Sequence, residues 1–287
     1  MNRFVLVILM VTTVLHGCSS RRMAVEATLP LVASQIVSMQ EERDVGLAEK
    51  AIPASLKMLD GLAKEDPENV WILENLAEGF CSYAFSFLED TEPERASGLY
   101  LRGKNYALRA LEIQSQGRKW SGLSFDEFSK QLKRVKPAQQ ASLFWMGQCW
   151  GSWLSLNLDS VEAFSDLPRV DLLMNRVLEL NPKFHHAGPH LFLGAFYGAR
   201  SRMLGGNPDK SRDHFEKALK ITEGKYLLVS LLYSKTYAVQ NQDREFFEMQ
   251  LKKVLNTSED VLPEQRLANQ VAKQKAKILM GKIDELF

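Results

Sequence analysis

Apolar residues recur every three or four positions along most of this 287-residue chain, which is the period of a helix that buries one face. We find no stretch in which apolar and polar residues alternate as they would in a half-buried strand. The pattern therefore predicts an all-α protein. It is clearest in three runs: Ile52, Leu56, Leu59, Leu62 and Ala63; Val70, Leu73, Leu76, Ala77 and Phe80; and Leu172, Asn175, Leu178 and Leu180.

Prolines mark where these helices begin or end, because proline is tolerated in the first turn of a helix and breaks its interior. The sharpest boundary is residues 205–209. There Gly205 can close one helix in a left-handed turn, Asn207 can cap the next and Pro208 can occupy its first position. A loop is expected over residues 116–123.

A short motif recurs on several helices: a charged residue, then Ala or Val, Leu, a second charge, and Ile or Leu. Its leucines Leu178, Leu219 and Leu255 are 41 and 36 residues apart. These spacings bracket the period of helix-pair repeats such as the tetratricopeptide motif. We therefore expect a tetratricopeptide-like stack of antiparallel helix pairs, an α–α superhelix, with irregular extra helices where the spacing departs from the repeat.

The first 17 residues have the features of an export signal. A basic start is followed by eleven apolar-dominated residues, 4–14, too few for the roughly 20 that cross a bilayer. Leu15, Gly17 and Cys18 then resemble the lipobox of bacterial lipoproteins, from which His16 departs. The resemblance implies a signal peptide over residues 1–17 and a lipid on Cys18.

The residue that follows the cysteine, Ser19, is more typical of an outer-membrane than of an inner-membrane lipoprotein. We therefore expect a periplasmic lipoprotein anchored in the outer membrane. Two alternatives stay open: an ordinary secretory signal with an incidental cysteine, and a core helix of a cytoplasmic protein.

Composition limits the remaining chain to a helical scaffold without a strong electrostatic partner. Residues 18–30 are expected to be a flexible tether, and residues 31–287 one helical domain large enough to form a core without disulfides. The 36 Lys and Arg residues face 35 Asp and Glu residues, and the signal peptide carries away Arg3. The mature chain is then neutral, so no net field draws it to nucleic acid.

Cys81 and Cys149 both lie in apolar helical runs. A buried small thiol is the commoner interpretation of such a cysteine, although an oxidising compartment allows the two to pair.

Metal and catalytic signatures are weak. His186 and His190 are four residues apart, as zinc ligands on one helix face are. The Glu of the helical zinc-protease motif is missing, however, and Gly188 and Pro189 fall where the helix would have to be regular. Polar residues at a helix start are the commoner interpretation. We find no nucleophile elbow, phosphate loop or cysteine pair with metal spacing, and we expect no cofactor and no enzyme activity.

Three of the five tryptophans fall within residues 144–153. Trp145 and Trp153, eight residues apart, share a helix face with Cys149, whereas Trp150 lies around the helix. Such a segment is either a buried core helix or the lining of a pocket or pore for an apolar ligand. The candidate ligand-binding residues are Trp145, Trp150, Trp153, Phe192, Phe196 and Tyr197.

The most specific resemblance covers residues 191–219: Leu191–Arg200, then Leu204–Lys210 with its Leu-Gly-Gly-Asn-Pro, then His214–Leu219. This segment resembles the T-component family associated with TRAP transporters, the tripartite ATP-independent periplasmic systems. The resemblance to that family covers most of the mature chain, from about Leu31 onward. Ser201 departs from the family pattern, in which a proline often follows the arginine. The resemblance implies a lipoprotein scaffold that associates with a periplasmic solute-binding P component, a homotrimer with an apolar pore, and hydrophobic or organic-acid ligands.

Two hypotheses from different classes follow. The first is a membrane-anchored accessory protein of a solute uptake system, which binds a P component and a ligand. The second is a scaffold lipoprotein for outer-membrane assembly or envelope organisation, whose concave helices bind extended peptides. An envelope enzyme is the least supported, because no nucleophile, metal ligand set or acid pair has suitable spacing.

Overall fold

The computed structural model describes the backbone of residues 3–287 and the side chains of residues 21–287. This part of the chain contains helices and no strands, so the all-α prediction is confirmed. The α-helices are α1 (Arg3–Gln40), α2 (Val45–Glu65), α3 (Val70–Tyr83), α4 (Pro93–Gln114), α5 (Phe125–Leu132), α6 (Gln140–Leu156), α7 (Val161–Leu180), α8 (Phe184–Gly198), α9 (Pro208–Ile221), α10 (Leu228–Leu232), α11 (Arg244–Asn256), α12 (Arg266–Gly281) and α13 (Ile283–Leu286).

Short helical turns of other types extend or join these helices. Two π-helical segments, Ala84–Leu88 and Tyr233–Ala238, continue α3 and α10 respectively. Four 3-10 turns lie between helices, at Pro137–Gln139, Arg202–Leu204, Glu259–Val261 and Pro263–Gln265.

Side-chain caps fix the helix starts. Asp44 accepts hydrogen bonds from two backbone amides at the start of α2, and Asn69 accepts one from Ile72 in α3, which satisfies amides that have no partner within the helix. The predicted boundary near residue 205 is confirmed. Gly205 has a φ of 83° and Asn207 accepts a hydrogen bond from Lys210 at the start of α9.

The segment 18–30 is helical in the structure rather than a flexible tether, since it forms part of α1. The physical reason is burial of one face: Val25 is 3% exposed and Val32 is 6% exposed, and both pack with α2 and α3 in one core cluster. The side chain of Cys18 lies outside the described side chains. Among the described residues, no helix is both long enough and apolar enough to cross a membrane.

Helices α6 and α8 run in the same direction. The rings of Trp145 and His185 are 4.9 Å apart at the start of both helices. Seven residues later, Phe192 packs against the backbone of Gly151, which is six residues past Trp145. A pair of contacts in the same order along both chains requires parallel helices.

Helix α3 and the α10 segment share this direction. Glu74 of α3 accepts a hydrogen bond from Ser142 of α6, and seven residues later in both helices Cys81 bonds to Cys149. His186 stacks on Tyr226 with ring centres 5.1 Å apart, and Gly198, at the far end of α8, approaches Thr236 at the far end of the α10 segment. The intervening helices α7 and α9 pack against their neighbours and return the chain. The arrangement is consistent with the tetratricopeptide-like stack of helix pairs that the repeats predict.

Glycines in α6 permit these close approaches. An added Cβ on Gly147 would lie 2.5 Å from Leu173 of α7 and 2.9 Å from Met174, closer than real contacts allow. Gly147 and Gly151 therefore allow α7 and α8, respectively, to pack closely against α6.

Helix α12, near the carboxyl terminus, packs against the first helices and closes the stack. Helix α12 contacts α1 and α2. At one end, Lys275 of α12 pairs with Asp90, which follows α3, and Lys235 pairs with the same carboxylate at 3.4 Å. Elsewhere Arg266 donates a hydrogen bond to the Glu41 carbonyl at 2.9 Å. The helices therefore form a ring rather than an open superhelix.

Cys81 of α3 and Cys149 of α6 form a disulfide with a Cα–Cα distance of 5.6 Å. Both are buried as expected, but the interpretation as two separate thiols is corrected. Helix α4 packs directly over this disulfide because Gly103 has no side chain: an added Cβ would lie 2.5 Å from the Cys81 sulfur. Helix α4 can therefore approach while α3 and α6 remain side by side.

Replacing both cysteines by alanine should destabilise the protein by about 2–4 kcal/mol, because the bond joins residues 68 apart and restricts the unfolded chain. Urea unfolding of the oxidised protein and of the Cys81→Ala/Cys149→Ala variant measures the loss. A reductant should lower the midpoint of the wild type and leave that of the variant unchanged. Equal midpoints for the oxidised wild type and the variant would contradict the assignment.

Candidate functional site

The parallel inner helices and the α1, α2 and α12 helices surround a cavity of about 650 Å³ that is partly open to solvent. Most of its lining is apolar. Ligand sites in proteins typically have volumes of roughly 300–1,000 Å³ and apolar walls with a few polar groups. The cavity therefore has the size and the character of a site for a small organic molecule.

Three of the six predicted aromatic residues line this cavity: Trp145, Phe192 and Phe196. The rings of Phe192 and Phe196 stack with centres 5.7 Å apart on α8. These rings give the cavity broad apolar faces, which supply much contact area for little conformational entropy.

The other three predicted residues lie outside the cavity lining. Trp150 packs in the core between Phe128 and the ammonium of Lys104, because it is five residues past Trp145 and points to another side of α6. Tyr197 donates a hydrogen bond of 2.6 Å to Asp171. Trp153 is partly buried between two core clusters. A ligand-binding role for any of the six stays a prediction.

A carboxyl group that sequence reasoning missed, Glu78 of α3, lies in the cavity wall. It forms no hydrogen bond or ion pair with any described residue, in contrast to Asp60, which binds Lys57, Arg102 and Tyr106. Glu78 is only partly exposed and lines the cavity. Burial raises the pKa of its carboxyl to about 7, because the apolar surroundings disfavour the charged form.

His185 also lines the cavity. Burial lowers the pKa of its imidazole to about 4, so the ring is uncharged at neutral pH. Residues 185–187 all have positive φ, with values of 45°, 53° and 62°. Three successive left-handed residues other than glycine are a strained backbone, and this strain lies in the cavity wall.

The left-handed turn also bears on the alternative of a metal site at His186 and His190. It interrupts the regular helix that would place His186 and His190 on one face. His190 instead pairs with His214, with 2.9 Å between their Nδ1 atoms. Among the described side chains, no group of three His, Cys, Asp or Glu residues is arranged to hold a metal ion.

Tyr226 is a further residue of the cavity wall. It lies beside Glu78: burial, and after it the charge of Glu78, raises the pKa of the Tyr226 phenol. Since α3, α6, α8 and the α10 segment run in parallel, Glu78, Trp145, His185 and Tyr226 lie at the amino-terminal end of the cavity. No sequence motif links these four residues, which come from four separate segments.

Cationic groups lie at the opposite, carboxyl-terminal end. Arg200 is 8% exposed, stacks on the Phe196 ring at 3.8 Å and donates two hydrogen bonds to the Phe196 carbonyl. Lys235 pairs with Glu89 at 3.0 Å. The cavity therefore has an unpaired carboxyl group at one end, and Arg200 and the ion-paired Lys235 at the other.

The fold and the cavity define an all-α protein whose helices surround an apolar cavity. Residues 41–287 match the TRAP transporter T-component family, so the chain belongs to that family and is a component of TRAP-type transport. An uncharacterized protein of Treponema pallidum (strain Nichols) is 22% identical over 263 residues, which cover 86% of this chain and 81% of that protein.

Glu78→Gln should stabilise the protein by roughly 1–3 kcal/mol at pH 8 and by less than about 1 kcal/mol at pH 5. The folded-state pKa of Glu78 is raised above its usual value of 4.5, so the folded state binds more protons between these two values. Stability is therefore lost as the pH rises from about 4.5 to 7, and glutamine does not incur this loss. Urea unfolding at both pH values measures the difference.

The matched control is Glu49→Gln, which removes an exposed carboxylate of α2 and should have a small effect that does not grow with pH. An equal effect of Glu78→Gln at pH 5 and pH 8 would show that Glu78 is not held in an apolar site.

Proposed function

We propose that this protein is a periplasmic lipoprotein, anchored through Cys18 to the outer membrane, that serves a TRAP-type uptake system as a non-enzymatic accessory. It binds the P component, the solute-binding protein of that system, and holds an apolar or organic-acid ligand in its cavity. The observation that carries the proposal is the apolar cavity of about 650 Å³ in a member of the T-component family.

Support for the anchor comes from the lipobox-like residues that end at Cys18. A lipid on Cys18, which would be the first residue of the mature chain, would place the ring at the membrane surface. Arg21 and Arg22, which follow the cysteine, pair with Glu65 and Asp66 of the helical body.

Support for a docking surface comes from exposed apolar side chains at the carboxyl-terminal end of the ring. Val161 is 87% exposed in the chain that follows α6, and Met203 is 95% exposed in the turn that follows α8. Leu158 and Leu204 extend these two segments. Since α6 and α8 are parallel, both segments lie at the end where Arg200 lines the cavity. A P component that docks there would face the cavity.

The organic-acid alternative for the ligand is supported by the same end of the cavity. Arg200 is buried and makes no ion pair within 4 Å with any described carboxylate. Its guanidinium is therefore available to pair with an anionic group of a ligand. A homotrimer, which the family resemblance implies, is part of the proposal and is tested by light scattering of the purified protein.

The membrane fraction of cells that make the full-length protein tests the anchor and the partner together. The wild type should be extracted from that fraction only by detergent and should bring the P component with it. Cys18→Ser should leave the protein folded and soluble, still bound to the P component. A Cys18→Ser variant that stays in the membrane fraction would refute the anchor.

The docking surface is tested by Met203→Glu, which should weaken P-component binding by about tenfold or more. Met249→Glu is the control, because Met249 is also exposed but lies on α11. Absence of the P component from both the wild-type and the Cys18→Ser preparations would refute the partner.

A further inference from the structure

We propose that the ligand of the cavity is an amphipathic organic amine, whose ammonium group pairs with the Glu78 carboxylate while its apolar body lies along the aromatic wall. This inference rests on the proposed function in one respect, that the cavity holds a ligand. It adds the chemical class of that ligand and its orientation.

The first argument is the missing partner of Glu78. Other carboxyl groups on or near α3 are satisfied: Glu74, one turn earlier, accepts a hydrogen bond of 2.5 Å from Ser142, and Asp90 pairs with two lysines. Glu78 alone in this group faces the cavity without a hydrogen-bond partner among the described residues. A buried polar group in that position costs free energy unless something pairs with it.

The second argument is the location of the chain's own cations. Lys235 contacts Glu89, which is eleven residues past Glu78, or about 16 Å along a helix. Arg200 lies at that same far end. His185, the titratable neighbour at the near end, is uncharged at neutral pH because burial lowers its pKa. No described protein cation can therefore neutralise Glu78, and the site can take one from a ligand.

The third argument is the aromatic surroundings. Trp145 and the His185 ring lie with centres 4.9 Å apart, and Tyr226 lies against the neighbouring His186. The faces of tryptophan and tyrosine attract an ammonium group through the negative potential above the ring. A carboxylate beside such faces is the combination that recognises organic cations.

The alternatives fit this end of the cavity less well. An alcohol would hydrogen-bond to Glu78 but leave it in its neutral form, whereas an ammonium group allows it to ionise and adds a charge-assisted hydrogen bond. A carboxylate ligand in the same orientation would place a second negative charge beside Glu78. The expected order of affinity at this end is amine, then alcohol, then acid.

Calorimetric titration of the mature protein at pH 7.5 with octylamine, octanol and octanoate compares three headgroups on one apolar body. Octylamine should bind at least about tenfold tighter than octanol, which corresponds to about 1.4 kcal/mol. Glu78→Gln should reduce this preference to within about twofold and leave the affinity for octanol unchanged. Glu74→Gln is the matched control, because Glu74 lies on the same helix outside the cavity lining and should keep the preference.

The outcomes separate this inference from the proposed function. If octanol binds and octylamine binds no tighter, the cavity holds ligands but the amine class is wrong. Octanoate as the tightest ligand would also overturn the inference and support the organic-acid alternative at Arg200. If none of the three binds, the ligand part of the proposed function fails as well. The comparison in the wild type decides the matter even if Glu78→Gln does not fold.

Discussion

The ring depends on the contact that closes it. A stack of helix pairs is normally an open superhelix in which each pair touches only its neighbours. Here Asp90, which follows α3, forms ion pairs with Lys235 and Lys275, which lie about 145 and 185 residues later in the chain. Lys275 is only 7% exposed, and a buried charge is tolerated because it is paired. Closure brings the first and the last helices together around the concave inner surface, which then forms the wall of the cavity.

Closure also gives the cavity a direction. Because the inner helices are parallel, residues early in each helix meet at one end and residues late in each helix meet at the other. Glu78, His185 and Tyr226 thus share one end, and Arg200 and Lys235 the other. An amphipathic molecule in such a cavity has one favoured orientation. The exposed apolar side chains near Met203 lie at the end of the cavity that Arg200 lines. We therefore expect a partner to approach from that side.

Local features of this fold are encoded in short segments and could be predicted. Asn207 and Pro208, for example, start α9 as the sequence predicts. Features that depend on how distant segments meet could not. The pairing of Cys81 with Cys149 requires the register of α3 against α6, and the isolation of Glu78 depends on which residues of α8, α10 and α12 surround it. Half of the predicted aromatic site lines the cavity, because a run of aromatic residues does not reveal which face of α6 is inner.

The ring itself is the central claim, and the distance between its two joined ends tests it most directly. Spin labels on Glu94 of α4 and Lys277 of α12, both exposed, would report that distance by pulsed electron resonance. A closed ring predicts one narrow distance distribution, which should broaden in an Asp90→Ala background. A broad distribution in the wild-type background would contradict the closed ring, and with it the cavity that the ring surrounds.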